Sequence, residues 1–175
     1  MFQFAERMMT MDDATWARHA NPLSGYSRFI AGPALFLALW SPYWIGWWSV
    51  LPITAAALWT WANPRLFPPP KRTDSWATRV VLGERAFLAR KTVPIPVEHA
   101  RIAFIATGVS VAFMALCVLG FVRADFWLAF TGFHAAILGK LWFCDRMVWL
   151  WNDMRDAHEN YRRWDRAEWA AKSEE

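Results

Sequence analysis

Four stretches of this chain are almost purely apolar, and polar residues or prolines bound each of them. A window of about 19 residues, the length that crosses a bilayer as a helix, selects residues 23–40, 43–61, 102–122 and 127–148. The third stretch, Ile102 to Val122, carries no charge, and at 1.5 Å per residue it reaches roughly 30 Å, the thickness of the hydrocarbon core. The second is also uncharged. The first is the weakest, because Arg28 lies inside it and has to snorkel to the near interface, while Pro33 predicts a kink. Ser41-Pro42 and the link from Arg123 to Phe126 are short enough to pair the spans as two helical hairpins. The expected fold is all-α: an integral membrane protein with four transmembrane helices. A soluble bundle is the alternative, but soluble core helices rarely stay uncharged for so long.

The polar segments complete the plan: an N-terminal arm at 1–22, a loop at 62–101 and a tail at 149–175. Residues 1–22 mix acidic and basic groups without a continuous apolar core, so no cleavable signal peptide is expected and the first span acts as its own insertion signal. In the loop, Asn63-Pro64 and Pro68-Pro69-Pro70 stop the second helix, and Thr73 or Asp74 can cap a helix over Ser75 to Ala89. Its apolar Trp76, Val80, Val81, Phe87 and Leu88 lie broadly on one side, which suits an amphipathic helix on the membrane surface or docked on the chain's own C-terminal helix. Beyond the fourth span, a seam of Met147, Leu150, Met154, Tyr161 and Trp164 continues at heptad-like spacing. It predicts an extended C-terminal helix, its seam packed on the loop or arm or offered to a partner subunit.

Composition sharpens this picture. The 175 residues are 56% hydrophobic and 19% charged, with 14 Trp and 13 Phe, a balance tilted toward lipid. Mean hydropathy is only +0.12 because the polar segments dilute the apolar ones. The net charge of +4 has its basic residues beside the hydrophobic stretches, and no zinc-finger, basic-region or RNA-binding pattern is present, so a membrane surface is expected and nucleic acid is not. The loop holds Arg65, Lys71, Arg72, Arg79, Arg85, Arg90, Lys91 and Arg101, whereas the two hairpin links hold only Arg123. The positive-inside rule then puts both termini and the loop in the cytoplasm of a bacterial or archaeal cell, the chain lying in its inner membrane. Trp40, Tyr43, Trp44, Trp47 and Trp48 mark the far interface, and Trp59, Trp61, Trp149 and Trp151 the near one.

Candidate chemistry is sparse. His134 falls near mid-membrane, and Asp145 and Asn152 follow on the same face of helix four to within about 20°. Such a polar line can serve a proton or ion path, and a buried His can ligate a haem or chlorophyll-type pigment. A structural His134 bonded to Ser110 or a backbone carbonyl accounts for it as well. His134 and Asp145 are separated by roughly 16 Å along the axis, too far to share a metal. Lys140, Asp145 and Arg146 crowd the cytoplasmic end, where Asp145 can pair with Arg28 or a loop arginine. Gly108, Ala112 and Ala115 form one small-residue stripe and Gly132, Ala136 and Gly139 another, so helices three and four are expected to meet through them unless one serves oligomerisation. Cys117 and Cys144 differ in depth by roughly 20 Å, too far for a disulfide. His19, His99 and His158 share no zinc spacing, and no P-loop, Rossmann glycine pattern or nucleophile elbow occurs.

Three segments together, Trp16 to Ser24, Asn63 to Pro70, and Trp76 to Arg85, resemble an uncharacterised family of small bacterial and archaeal multi-pass membrane proteins, a domain of unknown function. The resemblance covers residues from about 12 to 160 and implies no activity, cofactor or catalytic residue. It draws attention to His19, Asn21, Pro22 and Ser24, whose Asn-Pro-x-Ser order ends one helix and caps the next. The leading expectation is a non-catalytic accessory, assembly or scaffold subunit with a protein partner or a second copy of itself. A small oligomeric transporter or channel using the polar face of helix four is the alternative, and an intramembrane cofactor protein using His134 a third.

Overall fold

A computed structural model describes residues 12–168, and every regular element among them is helical. The two longest helices form a hairpin, α7 (Val97–Val122) and α8 (Phe126–Met154), and each is long and apolar enough to cross a membrane. Their turn is closed by backbone bonds from Asp125 to Gly120 and from Ala124 to Phe121, at 2.9 and 3.1 Å, with Ala124 at φ 52° and the Asp125 carboxylate capping Leu128. The helices approach closely through Gly120 on Ala129, Gly132 on Cys117 and Gly139 on Ser110, where an added Cβ would strike the facing helix. Ser110 Oγ also donates to the Ala136 carbonyl at 3.0 Å. The stripe of Gly132, Ala136 and Gly139 therefore is the contact face on α8. That of Gly108, Ala112 and Ala115 is not its counterpart: Gly108 and Ala112 are exposed, and α7 meets α8 through Ala103, Ala106, Ser110, Cys117 and Gly120. At about 100° per residue, Ser110, Cys117 and Gly120 lie on the side of α7 roughly opposite Gly108.

The first half of the chain is more broken. Residues 23–40 divide at Ala31 into α2 (Pro22–Ile30) and α3 (Gly32–Trp40), since Pro33 contributes no amide hydrogen to the ladder. A short α4 (Pro42–Ile45) and a 3-10 turn (Gly46–Ser49) precede α5 (Val50–Leu66), with Gly46 at φ 52° breaking the helix where a continuous one was expected. Gly32–Trp40 and Pro42–Leu66 pass for one span only taken together, bent by 41° as a broken span or a re-entrant loop. Among the described residues there are thus two helices able to cross a membrane, or three candidate spans if this bent pair is one. Asn63, near the end of α5, hydrogen-bonds Ser24 and Ser27 at 2.8 and 2.9 Å, so α5 returns alongside α2. Trp40 packs on Phe121 and Phe126 at the α7–α8 turn, and the Tyr43 hydroxyl donates to the Phe121 carbonyl.

The loop helix α6 (Trp76–Leu88) is a core element rather than a surface float. Ser75 caps it by accepting from Thr78 N, and Ala77, Thr78, Val80, Val81, Leu82, Gly83, Ala86 and Phe87 are all buried. Gly83 lets its backbone touch the Met147 carbonyl, and Gly25 admits Ala77. The seam residues Met147, Leu150, Met154 and Tyr161 lie in this same core with Leu82 and Phe87, and Trp164 packs against it. The chain itself covers the seam. Nor does the C-terminal helix extend as expected: α8 stops at Met154, His158 turns extended, and α9 (Glu159–Asp165) folds back so that Tyr161 meets Trp151. Trp151 is buried with its Nε1 donating to Asp165, and Trp40 is buried too, so neither belongs to an interfacial belt. Trp44, Trp47, Trp48 and Trp127 are exposed at the hairpin tips, and Trp59, Trp61 and Trp149 toward the other end. A second, aromatic core gathers Phe36, Trp40, Cys117, Ala129 and Phe133 near the α7–α8 turn.

A charged junction at the head of an apolar cleft

Four helices each bring one ionisable side chain to a single place: His19 from α1 (Asp13–His19), Arg28 from α2, Glu84 from α6 and Lys140 from α8. The local sequence fixes each. Asp12 caps α1 by accepting from Thr15 N at 2.7 Å, and Asn21 caps α2 while its Nδ2 donates to the Pro68 carbonyl at 2.8 Å. Ser24 Oγ donates to Asn63 Oδ1 and Asn63 Nδ2 donates to Ser27 Oγ, so the fully buried Asn63 and Ser24 tie α5 to α2. Thr78 Oγ1 reaches the Ala20 carbonyl at 2.8 Å and ties α6 to the same corner. The Asn-Pro-x-Ser segment and the Asn63-Pro64 pair therefore build one junction.

Within it, Arg28 Nε donates to the Ser24 carbonyl at 3.1 Å and Nη2 to His19 Nε2 at 3.2 Å. A guanidinium only donates, so the imidazole accepts through Nε2 and carries its proton on Nδ1, which is buried without a hydrogen-bond partner. Burial, and then the Arg28 charge, push the His19 pKa down to about 3, and the ring is neutral. Lys140 Nζ lies 2.5 Å from Glu84 Oε1 and 4.3 Å from the Phe143 ring centre. Burial alone would raise the Glu84 carboxyl, but Lys140 and Arg28 overcome it and hold the group ionised below its ordinary range. Two cations face one carboxylate beside a neutral histidine, which leaves one positive charge in excess.

The junction heads a cleft of about 540 Å3. Phe133, Ala136 and Ile137 of α8 form its floor, α2–α3 and α7 its sides, and α6 closes the end where Arg28, Glu84 and Lys140 sit. Leu35 and Phe133 lie seven residues from Arg28 and Lys140 respectively, so the apolar part runs roughly 10 Å beyond the charges.

The residues singled out in the sequence are dispersed. Half-buried His134 donates Nδ1–H to the Phe130 carbonyl of its own helix at 2.8 Å, its ring packed against Phe130, Phe133 and Phe36. Asp145 is exposed and accepts from Trp76 Nε1 at 3.4 Å, not from Arg28, which is turned toward Ser24 and His19. Asn152 is exposed. His134 and Asp145 thus bond to different partners, and His134, Asp145 and Asn152 do not join into a connected polar line. Of the interface residues, Arg28 and Lys140 do meet at the junction. Glu84 and His19 complete it. Each leaves a trace in the sequence, because Glu84 shares an apolar face with Val80 and Ala77, and His19 lies between Trp16 and Ala20. Among the described residues no group of three or more His, Cys, Asp or Glu is placed to hold a metal. Cys117 and Cys144 are free and lie in separate cores.

Residues 4–168 match the model of a family that is described only as being of unknown function. No curated protein and no solved structure matches the chain.

Proposed function

This chain belongs to a family of unknown function, DUF6653, and we propose that it is a non-catalytic, four-crossing membrane protein acting as an accessory or assembly subunit. The observation that carries the crossing number is the pairing of hairpin ends. Asn63 bonds Ser24 and Ser27 at one end of the first hairpin, and Trp40 and Tyr43 meet the α7–α8 turn at its tip. The first hairpin thus runs from the tip of the second to the level of Lys140, 14 residues or roughly 21 Å along α8 from Phe126, which is most of the hydrocarbon thickness. Arg28, Asn63 and Lys140 then lie toward one membrane face, with α1, the loop and α9 beside them. The excess of Lys and Arg assigns that face to the cytoplasm of a bacterial or archaeal inner membrane.

The accessory reading is supported by how the intramembrane polar groups are used. Ser24, Ser27, Asn63, Arg28 and Lys140 each engage a neighbouring helix or turn, which fixes one arrangement of α1, α2, α5, α6 and α8. His134 is bonded within its own helix and packed among rings, which weakens the pathway reading. Reporter fusions and crosslinking in native membranes test this reading. A C-terminal reporter active in the cytoplasm and a stoichiometric crosslinked partner are expected. A reporter active only outside, or a purified chain that by itself turns over a substrate or carries an ion, would overturn it.

A further inference from the structure

We infer that the cleft between α2–α3 and α7 holds the chain of a membrane lipid whose singly charged anionic headgroup is seated against Arg28 and Lys140. This rests on the crossing reading above only for the placement of the cleft within the bilayer. Three features of the cleft select the class of ligand. Its volume of about 540 Å3 falls in the range of small-molecule sites, and its long wall is apolar: Leu35, Val111, Met114, Phe133 and Ile137. Its charge is confined to one end, where Arg28 and Lys140 outnumber Glu84 by one. With His19 held neutral by its place under the Arg28 guanidinium, the excess matches a monoanion such as a phosphodiester or a carboxylate.

The geometry favours the bilayer over water as the source. Helix α6 closes the charged end with Trp76, Ala77, Val80 and Val81, whereas the sides are formed by two separate helical hairpins. A ligand enters between the hairpins, sideways from lipid. Lys140 follows Phe126 by 14 residues, roughly 21 Å along the axis, so the ammonium lies in the third of the hydrocarbon nearer the cytoplasm. The Lys140 side chain lines the cleft and is 49% exposed despite its bond to Glu84, which occupies one of the three donors of the ammonium. An intramembrane cation with donors to spare is stabilised by an anionic headgroup drawn down to it, in the same way that snorkelling brings a cation up to one.

Native mass spectrometry of the full chain, delipidated in a neutral maltoside detergent, provides the test. Phosphatidylglycerol is expected to be retained at one molecule per chain and about tenfold more tightly than phosphatidylcholine, a single charge's worth of preference. Lys140→Gln should abolish the preference. Because that variant strands Glu84 and can fail to fold, Val111→Trp provides the independent arm. It fills the apolar wall without touching a charge and should release the lipid from a protein of unchanged circular dichroism. Oleate competing in place of phosphatidylglycerol would identify a carboxylate head and keep the site. Equal retention of the two phospholipids, retention in Val111→Trp, or displacement by inorganic phosphate would overturn the inference. The readout is indifferent to topology, so its failure leaves the crossing number standing, and a wrong crossing number leaves the binding result standing.

Discussion

Ala124 closes the α7–α8 turn at φ 52°, a conformation that costs an L-residue roughly 1–2 kcal/mol and glycine almost none. Ala124→Gly should therefore raise the stability of the detergent-solubilised protein by about 1 kcal/mol, read as an upward shift in thermal midpoint. Residue chemistry also sets a pH dependence. The His19 pKa is depressed from 6.5 to about 3 by burial and Arg28, so the native state binds its proton more weakly than the unfolded state does. Its contribution to stability is complete above about pH 6.5 and is lost as pH falls from there toward 3, at up to about 1.4 kcal/mol per pH unit. His19→Gln can still accept from Arg28 and carries no titration, so the wild type should lose more stability than the variant between pH 7 and 5. Parallel losses in the two proteins would refute this assignment.

Helices are placed here by close backbone approach more than by side-chain volume. Gly132 rests on Cys117 and the Phe113 carbonyl of α7, and Gly83 rests on the Met147 carbonyl. Gly132→Ala and Gly83→Ala should each cost about 1–3 kcal/mol, because the facing atoms are backbone and have no rotamer to yield. Gly108→Ala, with open space around it, should be near neutral, and the contrast is measurable as melting temperature in one detergent. At the junction, Lys140→Met and Glu84→Leu alone each leave a charge unpaired. Their coupling in a double-mutant cycle should be about 2 kcal/mol in favour of the pair. The Gly132 stripe was legible in the sequence because three small residues recur at helical spacing. Its partner was not, because the α7 face is set by the register of the Arg123–Asp125 turn, which selects Gly120, Cys117 and Ser110 over Gly108 and Ala112. The break at Met154 was similarly hidden: apolar spacing continues through Tyr161 and Trp164, but they reach the core by folding back on Trp151.

For the molecule as a whole, long uncharged stretches made the all-helical character and α7–α8 legible, since hydrocarbon length is written directly in residue count. The first hairpin was harder to read, because Pro33, Pro42 and Gly46 divide it into pieces none of which crosses alone. The site was the least legible. His134, Asp145 and Asn152 share a face by periodicity, yet the junction arises between helices: the packing of α6 on α8 brings Glu84 to Lys140, and the turn between α1 and α2 brings His19 to Arg28. A loop helix that is buried on several sides leaves the same amphipathic trace as one lying on a membrane.

Cysteine accessibility tests whether the two hairpins present their tips on one side of the membrane and their ends on the other. In a background with Cys117 and Cys144 replaced by Ala, single cysteines at Trp47, Ala124, Lys71 and Asn160 sample both tips, the loop and the tail. All four positions are exposed. In intact cells an impermeant maleimide should label Trp47→Cys and Ala124→Cys, while Lys71→Cys and Asn160→Cys should react only after permeabilisation. Labelling of Ala124→Cys without Trp47→Cys would make the first hairpin a re-entrant loop, and the four-crossing account would be wrong.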